Sequence, residues 1–281
     1  MPKPIPEDER RTPERLRAHY RIERDLATAL KTAPREERKR LYSSLYDELY
    51  RRVPDHPQLV RKKDAAAQRA TVARQMRFLG RFLSPDSTFM ELGPGDCALS
   101  HEVARHVKGV VAVDVSEEIA RTTASPANFR LALSDGVTVP VPGESVSVAY
   151  SNQLIEHLHP DDARAQMENV FAALKKDGRY VCITPNRLTG PHDVSAYFED
   201  TAAGFHLKEY TNAELARLMT AVGFRRIEAF AVLKGVFFRV PLWLLRGAEA
   251  LLARLPFPLR RLLVRWRPVE ALLGVQLVAL K

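Results

Sequence analysis

Apolar residues follow a helical period near the N-terminus and short strand-like runs further on. Between Pro13 and Lys31, Leu16, Tyr20, Leu26 and Leu30 recur at roughly helical spacing, with Arg and Glu between them. Pro34 interrupts. A second helix is expected over 35–52, with Leu41, Leu45 and Leu49 in one row and Tyr42, Tyr46 and Tyr50 one step round. Pro54 and Pro57 end it. A third is expected from Asp64, a candidate cap, to Leu83. Residues 1–12 are rich in Pro and charge and read as a disordered lead-in.

From residue 84 short apolar runs alternate with helical stretches. Thr88–Leu92, Val110–Asp114, Phe129–Leu133, Ser145–Tyr150, Arg179–Thr184 and Arg226–Val232 read as strands. Leu99–Val107, Glu117–Ala124, Asp161–Leu174 and Thr211–Val222 read as helices, the last capped by Thr211 with Glu214 three residues on. Near-continuous apolar strands alternating with helices indicate a parallel sheet covered on both faces. Val240–Val264 is Leu-rich, carries Arg246, Arg254, Arg260 and Arg261, and is broken by Pro256 and Pro258. It reads as two amphipathic helices, and Gly274–Leu280 closes the chain as a strand. The expected organisation is a helical extension or lid over 13–83 and an α/β domain over 84–281, with a helical insertion at 239–272.

Composition narrows the setting. The 281 residues are 46% hydrophobic and 27% charged, as in a soluble globular protein. Two cysteines, Cys97 and Cys182, give neither a disulfide framework nor zinc spacing, so a reducing cytoplasm is expected. The polar N-terminus has no signal-peptide core, and no apolar run is long enough to span a bilayer. The net charge of +9 divides as +8 over 1–80, −5 over 81–238 and +6 over 239–281. The basic tail sets Phe237, Phe238, Trp243 and Trp266 beside Arg and Leu. That composition suits peripheral contact of 239–267 with anionic lipid at the inner membrane face. A packed insertion shaping a pocket or a dimer contact suits it equally. The +8 N-terminal region keeps an RNA substrate as an alternative, but no nucleic-acid recognition module is visible and nucleic acid is not the expected partner. The oligomeric state is open.

The candidate chemistry starts at Glu91-Leu92-Gly93-Pro94-Gly95-Asp96-Cys97. A glycine pair after a buried strand lets backbone approach a ligand, and the following helix offers free N–H groups. Glu91, ahead of the glycines, suits a cationic group such as the ammonium of methionine. Asp114, with Val115 after it, ends the next strand where a carboxylate can accept from two ribose hydroxyls. Ser134, Asp135 and Gly136 follow the third strand, where Asp135 can accept from an adenine amino group. These carboxylates line the crevice in which open α/β sheets bind ligands. Gly93-x-Gly95-x-x-Ala98 with Asp114 also satisfies a dinucleotide fingerprint, so a nicotinamide oxidoreductase is the rival. A carboxylate at Glu91 would repel a pyrophosphate, and no Tyr-x-x-x-Lys pair is present.

With these residues the chain resembles the class I S-adenosylmethionine-dependent methyltransferases over roughly 85–235 plus the final strand. The family's acidic-x-Gly-x-Gly-x-Gly motif reads here as Glu91-x-Gly93-x-Gly95-x-Cys97, with Cys97 replacing the third glycine. The resemblance implies a Rossmann-like α/β fold whose seven-stranded sheet has six parallel strands and one reversed edge strand. It implies S-adenosyl-L-methionine as cofactor. Gly93 and Gly95 would contact its methionine part, Asp114 the ribose, Ser134 and Asp135 the adenine, and Ser151 and Asn152, with Gln153, the sulfonium end.

For the acceptor, no Asn/Asp-Pro-Pro-aromatic motif, nucleophilic cysteine or paired glutamates point to base or arginine methylation. A hydroxyl of a small molecule, glycan or lipid-linked acceptor remains. Hydroxyl methylation needs alignment and a base. Glu156-His157 after the fourth strand resembles the Glu-x-x-Glu-His pattern of ubiquinone-pathway O-methyltransferases, with Gln153 in place of the first Glu. No metal is expected. His192-Asp193 and His206 lie in a polar loop resembling that of sugar- and natural-product-type methyltransferases, and each is a candidate base. A plain hydrogen-bonding role fits each histidine too. A non-catalytic binding protein on the same fold is the further alternative, motivated by Cys97.

Overall fold

The computed structural model describes residues 5, 9, 11–57, 65–116 and 125–281. The helix expected at 117–124, the Asp64 cap and most of the 1–12 lead-in lie outside the described residues. Among the described residues three helices come first: α1 (Pro13–Thr32), α2 (Arg35–Arg52) and α3 (Ala65–Leu79). Thr12 caps α1 by accepting from the Arg15 amide, and Pro13 sits where no amide bond is lost. The α/β part follows as β1 (Thr88–Leu92), α4 (Ala98–Ala104), β2 (Gly109–Asp114), β3 (Phe129–Leu133), β4 (Val146–Asn152), α5 (Pro160–Ala173), β5 (Leu174–Thr184), α6 (Asn212–Val222) and β6 (Arg226–Leu233). The chain ends with β7 (Val236–Val240), α7 (Leu242–Arg254), α8 (Phe257–Val264), α9 (Arg267–Leu273) and β8 (Val275–Leu280).

One sheet of eight strands runs in the order β3-β2-β1-β4-β5-β8-β6-β7. The pairs among β3, β2, β1, β4 and β5 are parallel, and β8 is antiparallel to both β5 and β6. The Rossmann-like α/β fold is as expected, with two corrections. The described residues form eight strands, not seven. The reversed C-terminal strand lies inside the sheet, between β5 and β6, while the edge is β7. That strand pairs antiparallel with β6 across Lys234–Gly235, both at positive φ (50° and 78°), the backbone of a tight hairpin. The first part of the insertion is therefore strand. Its remainder holds the two helices expected over 240–264, α7 and α8, and then a third, α9; Pro258 and Pro268 each occupy a first-turn position, of α8 and α9.

Each face of the sheet buries a core. One face packs Met90, Leu92, Ala149, Tyr180 and Cys182 against α1, α2, α5 and α6 through Leu30, Leu49, Met167 and Leu215. The other packs Phe89, Val148, Tyr150 and Val278 against α3 and α4 through Phe78, Leu79, Leu99 and Val103. Removing this surface from water stabilises the fold at roughly 25 cal/mol per Å². The N-terminal helices are locked onto the domain by a buried fork. Arg38 of α2 donates from Nε and Nη2 to both oxygens of Asp162 in α5, at 2.5 and 2.8 Å, and Tyr42 Oη donates to Asp162 at 2.9 Å. The capping box expected at Thr211 and Glu214 is present.

Candidate functional site

The glycine turn leaves β1 with Gly93 and Gly95 at φ of 63° and 61°, in the left-handed region that favours glycine. A Cβ on Gly95 would meet nothing within 4 Å, so the backbone here faces open space. Pro94 is buried and accepts a backbone bond from Cys97. Cys97 itself has φ 59° and immediately precedes α4. A third glycine is the residue this backbone prefers; Cys97 adopts it as an L-residue, at a cost of about 1–2 kcal/mol. Its thiol is buried and pushed up to about 12 by burial and by the Glu91 and Asp114 charges, so it is no nucleophile.

Glu91 lies under α4, where Ser100 Oγ donates to it at 2.6 Å. Burial, with added repulsion from Asp96 and Asp114, pushes its carboxyl up to about 8. It is thus a proton-holding group that an incoming cation would ionise. Asp114 Oδ1 accepts from the Val115 and Ser116 amides at 2.7 and 3.1 Å, which fixes the carboxylate at the end of β2. Asp135 Oδ1 accepts from the Val137 and Thr138 amides and from Thr138 Oγ1, and Ser134 Oγ donates to the Thr138 carbonyl. Both side chains therefore hold their own loop. Gly136, at φ 85°, lies so close under α2 that a Cβ would come within 2.8 Å of the Tyr42 ring. On β4, Ser151 is turned into the core beside Tyr180 Oη (2.8 Å), and Asn152 is half-buried at the strand end.

The segment after β4 joins this turn to the histidines. The Leu154 side chain is 3.0 Å from the position of a Gly93 Cβ. Glu156 is buried, accepts from Thr184 Oγ1 at 2.8 Å through Oε2, and leaves Oε1 buried without a hydrogen bond. Burial pushes its carboxyl up to about 7. The ring of His157 lies 4.8 Å from that of His206. His157 Nδ1 donates to the Phe205 carbonyl at 2.9 Å, which assigns its lone pair to Nε2. Burial and the neighbouring His206 charge hold it neutral, down to about 3. His206 behaves oppositely. Burial pushes it down, but the Glu209 hydrogen bond at 2.8 Å and the Glu156 and Asp193 charges raise it to about 8. His192 turns its ring toward Thr189 and the Asn186 carbonyl, and its amide donates to Glu209. The structure thus brings His157 and His206 together and points the His192 ring elsewhere.

Residues not singled out from the sequence complete the site. Tyr46 of α2 packs edge-on against Phe205 and His157, at 4.9 and 5.9 Å. Burial pushes the Tyr46 phenol well up, and charge from Glu156, Glu23 and Asp114 adds to it. Tyr50 is held at about 12, by burial first and then by Asp114 and Glu23. The Tyr50 ring lies 6.1 Å from that of Tyr46 and 5.4 Å from that of His56. Glu23 of α1 accepts from the Phe205 amide at 3.1 Å and from His19 Nε2 at 2.7 Å. Polar residues at core-facing positions of a helix, His19 and Glu23 in α1, were the signal available in the sequence. Among the described residues two groups, His19–Glu23–His56 and Glu156–His157–His206, each set three potential metal-ligand atoms within 4.8 Å of one another. In the first, Arg11 and Glu23 already occupy both nitrogens of His19.

A family model described as a methyltransferase domain matches residues 64–229, more than half of the chain. No curated protein matches. Among solved structures, phosphoethanolamine N-methyltransferase 1 of Haemonchus contortus, in complex with phosphoethanolamine and S-adenosylhomocysteine, is 14% identical with a TM-score of 0.58. The match covers 88% of this chain and 50% of that one. S-adenosylmethionine-dependent methyltransferases of Thermotoga maritima and Archaeoglobus fulgidus are each 16% identical over 76% of this chain, with TM-scores of 0.51 and 0.50. They are covered over 90% and 94% of their own lengths. The family match sets the chain with methyltransferases rather than with nicotinamide oxidoreductases. The chain belongs to the methyltransferase-domain family, and its fold is that of the class I S-adenosylmethionine-dependent methyltransferases.

Proposed function

We propose that this enzyme transfers the methyl group of S-adenosylmethionine to a hydroxyl of a small molecule, glycan or lipid-linked acceptor, with His157 as the base. The residues present fit the donor. Gly95 leaves the turn open, Glu91 offers a carboxylate to an ammonium, and Asp114 is fixed at the ribose position. Bound there, the donor supplies an electrophilic methyl on a sulfonium. The protein's own task is to align the acceptor and remove its proton.

The observation that carries the reading is the tautomer of His157. With Nδ1–H committed to the Phe205 carbonyl, Nε2 is the nitrogen left to accept a proton; the neighbouring imidazolium of His206 leaves it unprotonated at rest and also weakens it as a base. Glu209 holds His206 in that state. The unpartnered Glu156 Oε1 supports a second reading: Glu156, His157 and His206 hold a divalent cation that binds the acceptor hydroxyl. Incubating the purified enzyme with methyl-labelled donor and cell extract, then separating lipid, glycan, small-molecule, protein and RNA fractions, tests the acceptor class. Label in the first three supports the proposal, and label in RNA or protein alone refutes it. Retained activity after chelation selects the histidine base over the cation.

A further inference from the structure

The three helices between β7 and β8 are built differently from the rest. A surface helix of a soluble protein turns its apolar side inward. Helix α8 does the reverse. Its buried residue is Val264, while Leu259, Leu262 and Leu263 face solvent, and Trp266 follows just beyond the helix end. Leu262 and Trp266 are both 68% exposed. Leu259, Leu262, Leu263 and Trp266 stand at i, i+3, i+4 and i+7, the spacing of one face.

Helix α7 repeats the pattern in part. Its inner side is Leu245, Glu249 and Leu252, with Glu249 buried on Asn186, Asn212 and the Ala213 amide. Its outer side carries Trp243, 73% exposed, and Leu251, 64% exposed, at i and i+8. Arg246 and Arg254, also at i and i+8, run beside them and are exposed. Residues 242–273 hold six arginines and two glutamates, and one of those glutamates is the buried Glu249. The outward surface is therefore basic and apolar together. Among the described residues no helix is long and apolar enough to cross a membrane.

We infer that α7, α8 and Trp266 dock this enzyme on the surface of an anionic bilayer, the arginines meeting the headgroups and Trp and Leu entering the interface. Charge decides between the occupants. A two-fold contact with a second copy would set each arginine-rich face against its own image, and like charges at an interface oppose association. Anionic lipid supplies the complementary sign, and Trp partitions to the headgroup boundary.

The chain's two tryptophans, Trp243 and Trp266, both lie on this surface, so intrinsic fluorescence reads it directly. The test mixes full-length protein with vesicles of phosphatidylcholine alone or containing phosphatidylglycerol, and measures tryptophan emission and flotation. Expected with the anionic vesicles are a blue shift and co-flotation, with binding at least about tenfold tighter than to neutral ones and weakened by salt. The double variant Leu262→Glu/Trp266→Glu should stay at the bottom of the gradient, and Arg246→Glu/Arg254→Glu should lose the preference for anionic lipid. Both should keep wild-type affinity for S-adenosylhomocysteine, which shows that they fold. Unchanged emission with no flotation overturns the inference, as does equal binding to both vesicle types. A lipid-free dimer with already blue-shifted tryptophans overturns it in favour of a subunit contact.

Discussion

Glu23 and Phe205 are joined by a hydrogen bond of 3.1 Å, from the Phe205 amide to Glu23 Oε2, across 182 residues of chain. The Phe205 carbonyl in turn accepts from His157. One peptide segment thus ties the N-terminal helix to the proposed base. Burial raises the Glu23 carboxyl, but hydrogen bonds from His19 and His56 outweigh it and hold the group below the ordinary carboxylate range. Its stabilising contribution is therefore present above about pH 4.5 and lost as pH falls. Glu23→Ala should cost about 3–5 kcal/mol by urea unfolding, the range for breaking a buried ion pair. A loss under about 1 kcal/mol, the range of a surface pair, would show that Glu23 does not hold the N-terminal helices in place.

His157→Gln keeps a side-chain N–H for the Phe205 carbonyl and removes the basic nitrogen. Turnover should drop by about 10²–10⁴, the range for a general base. Affinity for S-adenosylhomocysteine should stay within about threefold of wild type, a change of under 1 kcal/mol. Single-turnover rates and calorimetry on the same preparation read both quantities. Unimpaired turnover would remove His157 from the chemistry.

Cys97 departs from the family's glycine, and the structure explains how it is tolerated. Its backbone is left-handed, at φ 59°, as a glycine's would be, and its side chain is buried. Cys97→Gly should relieve strain of about 1–2 kcal/mol while losing a small buried group, leaving stability nearly unchanged. Cofactor affinity should change by less than about threefold, under 1 kcal/mol by calorimetry. A large gain in affinity would mean that Cys97 obstructs the donor site, and would favour a non-catalytic role for the native chain.

Much of this was legible in the sequence. The strand–turn–helix at Glu91–Ala104, the capping box at Thr211 and the three N-terminal helices follow from local periodicity and turn chemistry. The β6–β7 hairpin was not legible, because Lys234–Gly235 lacks the usual Asn-Gly or Asp-Gly signal and Phe237–Phe238 reads equally as the start of a helix. The inner position of β8 follows from long-range pairing that no local pattern encodes. Among the candidate site residues, spacing pointed to Glu91 and Asp114. The roles of Tyr46, Glu23 and Glu209 depend on α1, α2 and the 204–209 loop meeting over His157, a tertiary fact.

The pH response of cofactor binding follows from Glu91. Burial holds its carboxyl at about 8, above its unfolded value. The stability this gives the free enzyme is fully present below about pH 4.5 and lost as pH rises through about 8. A ligand ammonium needs the ionised form. Affinity for S-adenosylhomocysteine should therefore rise between about pH 6 and 8, with proton release on binding, and Glu91→Gln should bind more weakly with a flat profile. Calorimetry in buffers of different ionisation enthalpy measures the proton count. A flat profile for the wild type would contradict a contact between Glu91 and the ammonium.

The central claim is that the crevice at the ends of β1 and β2 holds the methyl donor, with Asp114 on its ribose. Titration of the enzyme, Asp114→Asn and Asp114→Ala with S-adenosylhomocysteine, and with a nicotinamide dinucleotide as control, tests it most directly. The wild type should bind S-adenosylhomocysteine and not the dinucleotide. Both variants, folded by circular dichroism, should lose at least about tenfold in affinity, as expected when hydrogen bonds to a charged group worth about 1.5–3 kcal/mol are removed. Binding of the dinucleotide instead, or unchanged S-adenosylhomocysteine affinity in Asp114→Ala, would contradict it.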